Sequence, residues 1–338
     1  MSTRLIPSKG KTVKGPAIHA EGLVRRFGAT VAVDGVDLSV APGEIYGFLG
    51  PNGAGKTTTV RMLVTLLAPT AGRAEVAGRD VVADPGGVRL RIGVALQEAA
   101  LDAKQTGAEI LRLQGRLYGL KRGEIDRRLK DLSTLIDLGD ALDRRVGGYS
   151  GGMRRRLDLA TALVHNPDVL FLDEPTTGLD PVSRAKVWEE VRRLNVEMGV
   201  TIFLTTQYLE EADRLADRVG IIEGGRIVAE GTPTELKRSI GEDLIVVSTR
   251  GDNSSDDGVV ARLRRLAGVE RVDAHDGEIT ITTPDGPRAV GRVAVALEEA
   301  GITVEGLTLR TPTLDDVFLE VTGNRLRASD AEDEKETQ

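Results

Sequence analysis

The stretch Glu44 to Leu67, EIYGFLGPNGAGKTTTVRMLVTLL, decides the fold. It opens on a short apolar run, passes through a glycine-rich turn and ends in a helical pattern. The turn Gly50-Pro51-Asn52-Gly53-Ala54-Gly55-Lys56-Thr57 fits G-x-x-x-x-G-K-[ST]. Glycines at these places let the backbone turn its N–H groups inward around phosphate oxygens, and the N-terminus of the following helix favours negative charge. In this reading Lys56 reaches the β- and γ-phosphates, Thr57 sets its hydroxyl on Mg²⁺, and Thr58 extends the cradle. A chance glycine-rich turn would not need a strand before it and a helix after it; this one has both.

Outward from the loop, short β-type runs alternate with amphipathic helical stretches: DVLFLDEP, then VSRAKVWEEVRRL, then VTIFLTT. Such alternation predicts an α/β domain with a largely parallel sheet. VLFL and TIFL are apolar on consecutive residues, as strands buried on both faces must be, so they are expected to be central. Between about 98 and 165 the strand-like runs stop and helical patterns take over, which predicts an inserted helical subdomain. After Gly231 the order becomes strand, helix, strand, strand, helix, strand, that of a small α+β, ferredoxin-like domain. The expected limits are an ATPase-type domain over 17–240, an accessory domain over 241–323, and disordered tails at 1–16 and 324–338.

In Val169-Leu170-Phe171-Leu172-Asp173-Glu174-Pro175 an apolar strand delivers two adjacent carboxylates at its C-terminal end, where open α/β sheets bind ligands. Asp173 suits Mg²⁺. Glu174 suits activation of a water that attacks a γ-phosphate, because that nucleophile needs a positioned base. An isolated Asp-Glu-Pro would only open a turn; a phosphate loop upstream changes the reading.

Bulk properties set limits. A chain of 338 residues has room for one large domain and a smaller one. With 3% aromatic residues the cores must be aliphatic, and a formal charge of −7 argues against a nucleic-acid partner. Cysteine is absent, which excludes disulfides and thiolate chemistry and fits a reducing compartment. No run of 18 apolar residues occurs, so no membrane span and no signal peptide is expected. His275, flanked by Asp273 and Asp276, reads as turn chemistry rather than a metal site.

At Tyr149-Ser150-Gly151-Gly152-Met153, an SGG turn entering a helix some twenty residues before LDEP, the motif set resembles that of ATP-binding-cassette (ABC) ATPases over about 17–240. The resemblance implies ATP and Mg²⁺ as ligands. It implies that Phe27 stacks on adenine and that Gln97 touches Mg²⁺ and the attacking water. Asp180 would lie on the loop that crosses a dimer interface. Ser150, Gly151 and Gly152 of one copy would cover the γ-phosphate held by Lys56 of a second, head-to-tail copy. It also implies a separate transmembrane permease, one of whose helices docks near Gln97, and a location at the cytoplasmic face of the membrane.

One position departs from the family. Where it usually has His, this chain has Gln207, in Thr205-Thr206-Gln207-Tyr208. Glutamine can donate to a phosphate oxygen but cannot become cationic. That glutamine and the C-terminal LDDVFLEVTG are most similar to ATP-binding subunits of the daunorubicin/doxorubicin-resistance drug exporters, which implies export of a hydrophobic compound. Two other readings remain open: the ATPase of an importer, and a cassette ATPase acting on DNA or ribosomes, which would usually carry two cassettes or long heptads.

Overall fold

A computed structural model describes residues 15–96, 101–249, 257–275 and 278–323. Of the two expected tails only residues 15 and 16 fall within these ranges, and Gln97 and Asp276 lie outside them. The chain divides into two compact units, with the break between Pro233 and Thr234.

The first unit contains two sheets. A six-stranded sheet is built from β3 (Ile45–Leu49), β6 (Ile92–Ala95), β7 (Val169–Asp173), β8 (Thr201–Thr206), β9 (Arg218–Glu223) and β10 (Arg226–Gly231). Its order is β10-β9-β3-β8-β7-β6, parallel throughout except for the β9–β10 hairpin. Gly224 and Gly225 supply the positive φ values, 54° and 81°, that this two-residue turn needs. A second, antiparallel sheet has the order β2-β1-β4-β5, from β1 (Ile18–Phe27), β2 (Thr30–Val40), β4 (Ala71–Val76) and β5 (Arg79–Asp80), and the short helix α2 (Pro85–Arg89) follows β5 in the chain.

Every residue of β3, β7 and β8 is buried, as their unbroken apolar runs predict. Alternation then sends their side chains to two cores. Tyr46, Phe48, Phe171 and Phe203 face a core shared with β1, β2 and helix α1 (Lys56–Leu63). Phe203 sits among the other three rings, with centroids 5.5 to 5.6 Å away. Ile45, Leu170, Leu172, Ile202 and Leu204 face the opposite core, closed by α5 (Gly151–Leu163), α6 (Pro181–Met198) and α7 (Leu209–Leu215).

Between β6 and β7 the described residues form helices: α3 (Gly107–Leu117), α4 (Arg122–Leu135), two short 3-10 turns and α5. Leu111, Ile125, Leu129, Leu142, Tyr149 and Leu157 give this region its own core. Thr106 and Glu109 start α3 with a reciprocal capping box, which fixes where the helix begins.

The second unit runs α8 (Pro233–Ile240), β11 (Asp243–Thr249), α9 (Asp257–Arg264), β12 (Arg271–His275), β13 (Glu278–Thr283), α10 (Gly286–Glu299), β14 (Val304–Arg310) and α11 (Leu314–Thr322). Its antiparallel order, β12-β13-β11-β14, is that of the ferredoxin-like arrangement. Ile245, Val247, Ile279, Ile281, Val293 and Leu297 form its core. The chain is therefore α/β, a mixed-sheet domain with inserted helices followed by a small α+β domain.

A candidate phosphate site at the strand ends

The carboxyl ends of β3, β8 and β7 lie side by side, because β8 pairs in parallel with both of the others. This order brings the glycine-rich loop after β3 next to the carboxylates that end β7. Gly50 binds the end of β8, its N–H donating to the Thr206 carbonyl at 3.2 Å.

Two glycines of the loop are dictated by space and torsion. A Cβ on Gly50 would lie 2.4 Å from the Ile222 carbonyl oxygen. Gly55, at φ 108°, would place a Cβ 2.5 Å from the Ala32 oxygen. Any side chain would push the loop off the strands behind it, and Gly55 is additionally in a torsion that L-residues avoid.

Lys56 is 4% exposed, and its ammonium donates to the carbonyls of Gly50 at 2.7 Å and Pro51 at 3.1 Å. Glu174 Oε1 lies 3.3 Å from the same nitrogen. Burial pushes the Lys56 ammonium down from its usual range, and the charges of Glu174 and Asp173 oppose that shift. The lysine thus closes its own loop and holds a positive charge over the cavity.

Thr205, at the end of β8, organises the acidic pair. Its hydroxyl donates to Asp173 Oδ1 at 2.5 Å and accepts from the Glu174 backbone N–H at 3.0 Å. The Thr57 hydroxyl lies 3.4 Å from the same Asp173 oxygen. Glu174 has φ 48°, a left-handed torsion rare for a non-glycine residue and costing about 1–3 kcal/mol. Its N–H is fixed by Thr205 through both hydroxyl and carbonyl, and its side chain accepts from the Thr177 hydroxyl at 3.2 Å. The strained turn aims this carboxylate back at Lys56.

Of these groups Lys56, Thr57, Gly55, Glu174 and Thr177 line one cavity of about 390 Å³, with Ala32, Asn52, Gly53, Thr58 and Gln207, while Gly50, Asp173 and Thr205 are not part of its lining. Its wall combines loop glycines, an ammonium, hydroxyls and a carboxylate, a set suited to a polyphosphate and a hard divalent cation. Thr57 and Asp173 are oxygen donors of the kind Mg²⁺ takes, one carboxylate and one hydroxyl beside phosphate oxygens. Among the described residues there is no cluster of three or more His, Asp or Glu that would hold a metal by itself.

Other expected positions lie apart from this cavity. Phe27 is exposed at the end of β1, with the Arg25 guanidinium 4.5 Å from its ring centre. Ser150 caps α5, accepting from the Met153 N–H at 3.3 Å, and Gly151 and Gly152 have open space where a Cβ would be. Asp180 caps α6, held by the N–H and hydroxyl of Ser183, which lower its carboxyl below the usual range. None of these five residues lines the cavity. Gln97 is outside the described residues.

Sequence reading missed Thr205, Thr177 and Ala32. Thr205 had a signal: hydroxyl residues ending an apolar run, TIFLTT, and buried there must hydrogen-bond to something.

A profile of the family described as "ABC transporter" matches residues 33–177, and one described as "ATP-binding protein DrrA1-3-like, C-terminal domain" matches residues 231–322. The chain is 50% identical to the daunorubicin resistance ATP-binding protein DrrA3 of Streptomyces coeruleorubidus, over 93% of this chain and 98% of that one. It is 47% identical to the daunorubicin/doxorubicin resistance ATP-binding protein DrrA of Streptomyces peucetius, over 94% and 97% respectively. Among solved structures, an ATP-binding subunit of an ABC transporter superposes with a TM-score of 0.60 at 29% identity, over 66% of this chain and 92% of that one.

Proposed function

Because the chain belongs to the ATP-binding subunits of ABC transporters, and within them to the daunorubicin-resistance type, we propose that it drives export of a hydrophobic drug-like compound by hydrolysing ATP at the Lys56 cavity. ATP hydrolysis is the family's activity, and its ATPase domains work as dimers with a transmembrane permease. No helix among the described residues is long and apolar enough to cross a membrane. In this reading a separate permease supplies the path and holds the chain at the cytoplasmic face.

The observation that carries the reading is Lys56 and Glu174 at 3.3 Å in one cavity, with Asp173 beside Thr57. Lys56 and the loop N–H groups bind the β- and γ-phosphates, and Thr57 and Asp173 would hold Mg²⁺, which neutralises phosphate charge when bound. Glu174 accepts the proton of the attacking water; once phosphate competes for Lys56, its carboxylate is free to do so. Gln207, on the cavity wall, donates to the γ-phosphate. Phe27 offers an exposed ring to adenine. Ser150, Gly151 and Gly152, open to solvent here, serve the cavity of a second copy, and Asp180 and Gln97 complete the contacts between copies and with the permease.

This assignment puts nucleotide chemistry in 17–240 and leaves 241–323 as an accessory domain. Glu174→Gln tests it: with Mg–ATP the variant should double in mass by light scattering and lose turnover. Wild-type hydrolysis by that variant would remove Glu174 as the base. Drug retention in cells expressing the chain with its permease, compared with the Glu174→Gln form, tests export.

A further inference from the structure

Both oxygens of Glu174 are engaged, by groups of different kinds. Oε1 lies 3.3 Å from the Lys56 ammonium, and Oε2 accepts from the Thr177 hydroxyl at 3.2 Å. Thr177 lines the same cavity and stands in the turn that follows β7. Its backbone N–H donates to the Glu174 carbonyl at 3.3 Å, so the turn itself delivers the hydroxyl to the carboxylate.

The two contacts respond differently to substrate. An ammonium has three protons to donate. Those of Lys56 meet the Gly50 carbonyl at 2.7 Å, the Pro51 carbonyl at 3.1 Å and Glu174 Oε1 at 3.3 Å. A phosphate oxygen that binds Lys56 must displace one of these acceptors. The two carbonyls belong to the loop that closes around the phosphates. Oε1 is the most distant of the three, and its charge repels an incoming phosphate. It is therefore Oε1 that substrate releases.

Oε2 faces no such competition, because its donor is a neutral hydroxyl on the same turn. The backbone of Glu174 is fixed as well, its N–H held by the hydroxyl and the carbonyl of Thr205 at 3.0 and 3.1 Å. Without the Thr177 contact a carboxylate released by Lys56 would turn freely about its last side-chain bond, whose torsion is broad. A base must instead stay within hydrogen-bond reach of the proton it takes.

We propose that Thr177 is a positioning residue for ATP hydrolysis: its hydroxyl anchors Glu174 Oε2, so that Oε1, the oxygen released by Lys56, takes the proton of the attacking water. In that step the water oxygen bonds the γ-phosphorus as the bond from phosphorus to the bridging oxygen breaks. The electrons of that bond leave with ADP, and the proton of the cleaved O–H bond passes to Oε1. Thr177 acts only through Glu174. A base misplaced by about 1 Å can cost a hundredfold in rate. The inference rests on the ATPase reading above.

The test compares Thr177→Val, which keeps the branched shape and loses the hydroxyl, with Thr177→Ser, which keeps the hydroxyl. Both are measured for ATPase kcat and KM and for affinity toward a fluorescent ATP analogue, with melting temperature as the folding control. Thr177→Val is also combined with Glu174→Ala, and the residual hydrolysis of the two Glu174→Ala chains is followed in single turnovers. We expect Thr177→Val to lower kcat about tenfold to a hundredfold, the rate equivalent of one hydrogen bond to a charged group. KM and analogue affinity should stay within about twofold of wild type, since the lost contact is not one to nucleotide. Thr177→Ser should recover most of the rate. In the Glu174→Ala chain, which has no carboxylate to anchor, Thr177→Val should leave the residual rate unchanged. The anchor is overturned if Thr177→Val keeps kcat within about twofold of wild type or if its loss is carried by KM or analogue affinity. It is equally overturned if Thr177→Ser is as slow as Thr177→Val, or if Thr177→Val slows the Glu174→Ala chain by the same factor as the wild type. A wild-type chain without ATPase activity, or a Glu174→Ala chain that hydrolyses ATP at the wild-type rate, removes the reading of the cavity and the anchor with it. An active wild type, a slow Glu174→Ala chain and an unaffected Thr177→Val chain remove the anchor alone.

Discussion

Thr205 binds Asp173 through its hydroxyl at 2.5 Å, and the same oxygen receives the N–H of the next residue, Glu174. One side chain on β8 thus sets both carboxylates that end β7. Thr205 is fully buried, so each of these bonds replaces one that water cannot supply.

Thr205→Val keeps the shape and deletes the hydroxyl. The Asp173 carboxylate loses its shortest contact, and the strained Glu174 turn retains only the Thr205 carbonyl. Leaving buried polar groups unpaired costs about 1–3 kcal/mol, so the variant should unfold at lower denaturant by that amount. Its ATPase kcat should fall at least tenfold, roughly the rate equivalent of one such contact. Urea titration and steady-state hydrolysis check the two effects, and unchanged kcat would show that Thr205 does not set the carboxylates.

That residue also marks what the sequence could reveal. The loop around Lys56 was legible because its chemistry is local, with glycines, lysine and threonine consecutive between a strand and a helix. β7 and β8 were legible because burial on both faces leaves consecutive apolar residues at their centres, Val169 to Leu172 and Ile202 to Leu204. The contact of Thr205 with Asp173 was not, since it depends on β8 lying between β3 and β7, and pairing order is not written in any one segment. The left-handed torsion of Glu174 was hidden for a different reason: tertiary contacts impose it on a residue with no preference for it.

The glycines separate structural from functional roles. Gly55→Ala introduces a Cβ 2.5 Å from the Ala32 oxygen in a left-handed torsion, and should destabilise the fold by about 1–3 kcal/mol. Gly152→Ala meets nothing within 4 Å on a helix where alanine is favoured, so its melting temperature should be equal or higher. If Ser150 to Gly152 cover the nucleotide of a second copy, Gly152→Ala should still lose ATP-dependent dimerisation. Differential scanning fluorimetry and light scattering with Mg–ATP distinguish the two, and a Gly152→Ala chain that dimerises normally would dissociate this turn from the site.

Gln207 borders the cavity where a histidine is usual for the family. Its amide supplies a donor without a proton to relay, so its contribution is a contact and not acid–base chemistry. Gln207→Ala should lower kcat about tenfold to a hundredfold, the rate equivalent of the roughly 1.5–3 kcal/mol of one hydrogen bond to a charged group. Gln207→His should retain activity and acquire a pH dependence near neutrality. If both variants hydrolyse ATP at the wild-type rate at every pH, Gln207 makes no phosphate contact.

Two buried groups pull stability in opposite directions with pH. Glu190 of α6 is raised from 4.5 to about 7, mainly by burial, with Arg156 and Arg193 opposing. Because its folded pKa is the higher one, it contributes stability that is complete below pH 4.5 and lost as pH rises through about 7. His165, stacked on Tyr118 with ring centres 3.6 Å apart, is lowered from 6.5 to about 4, again mainly by burial. Its contribution is complete above pH 6.5 and lost as pH falls through about 4. In the wild type the two slopes offset each other between pH 4.5 and 6.5. Glu190→Gln removes the falling one. Its unfolding free energy should therefore gain on that of wild type by on the order of 2–3 kcal/mol as pH rises from 4.5 to 7. Denaturant curves for both proteins at half-unit pH steps measure the difference, and curves that stay parallel would show that Glu190 is ionised in the folded chain throughout.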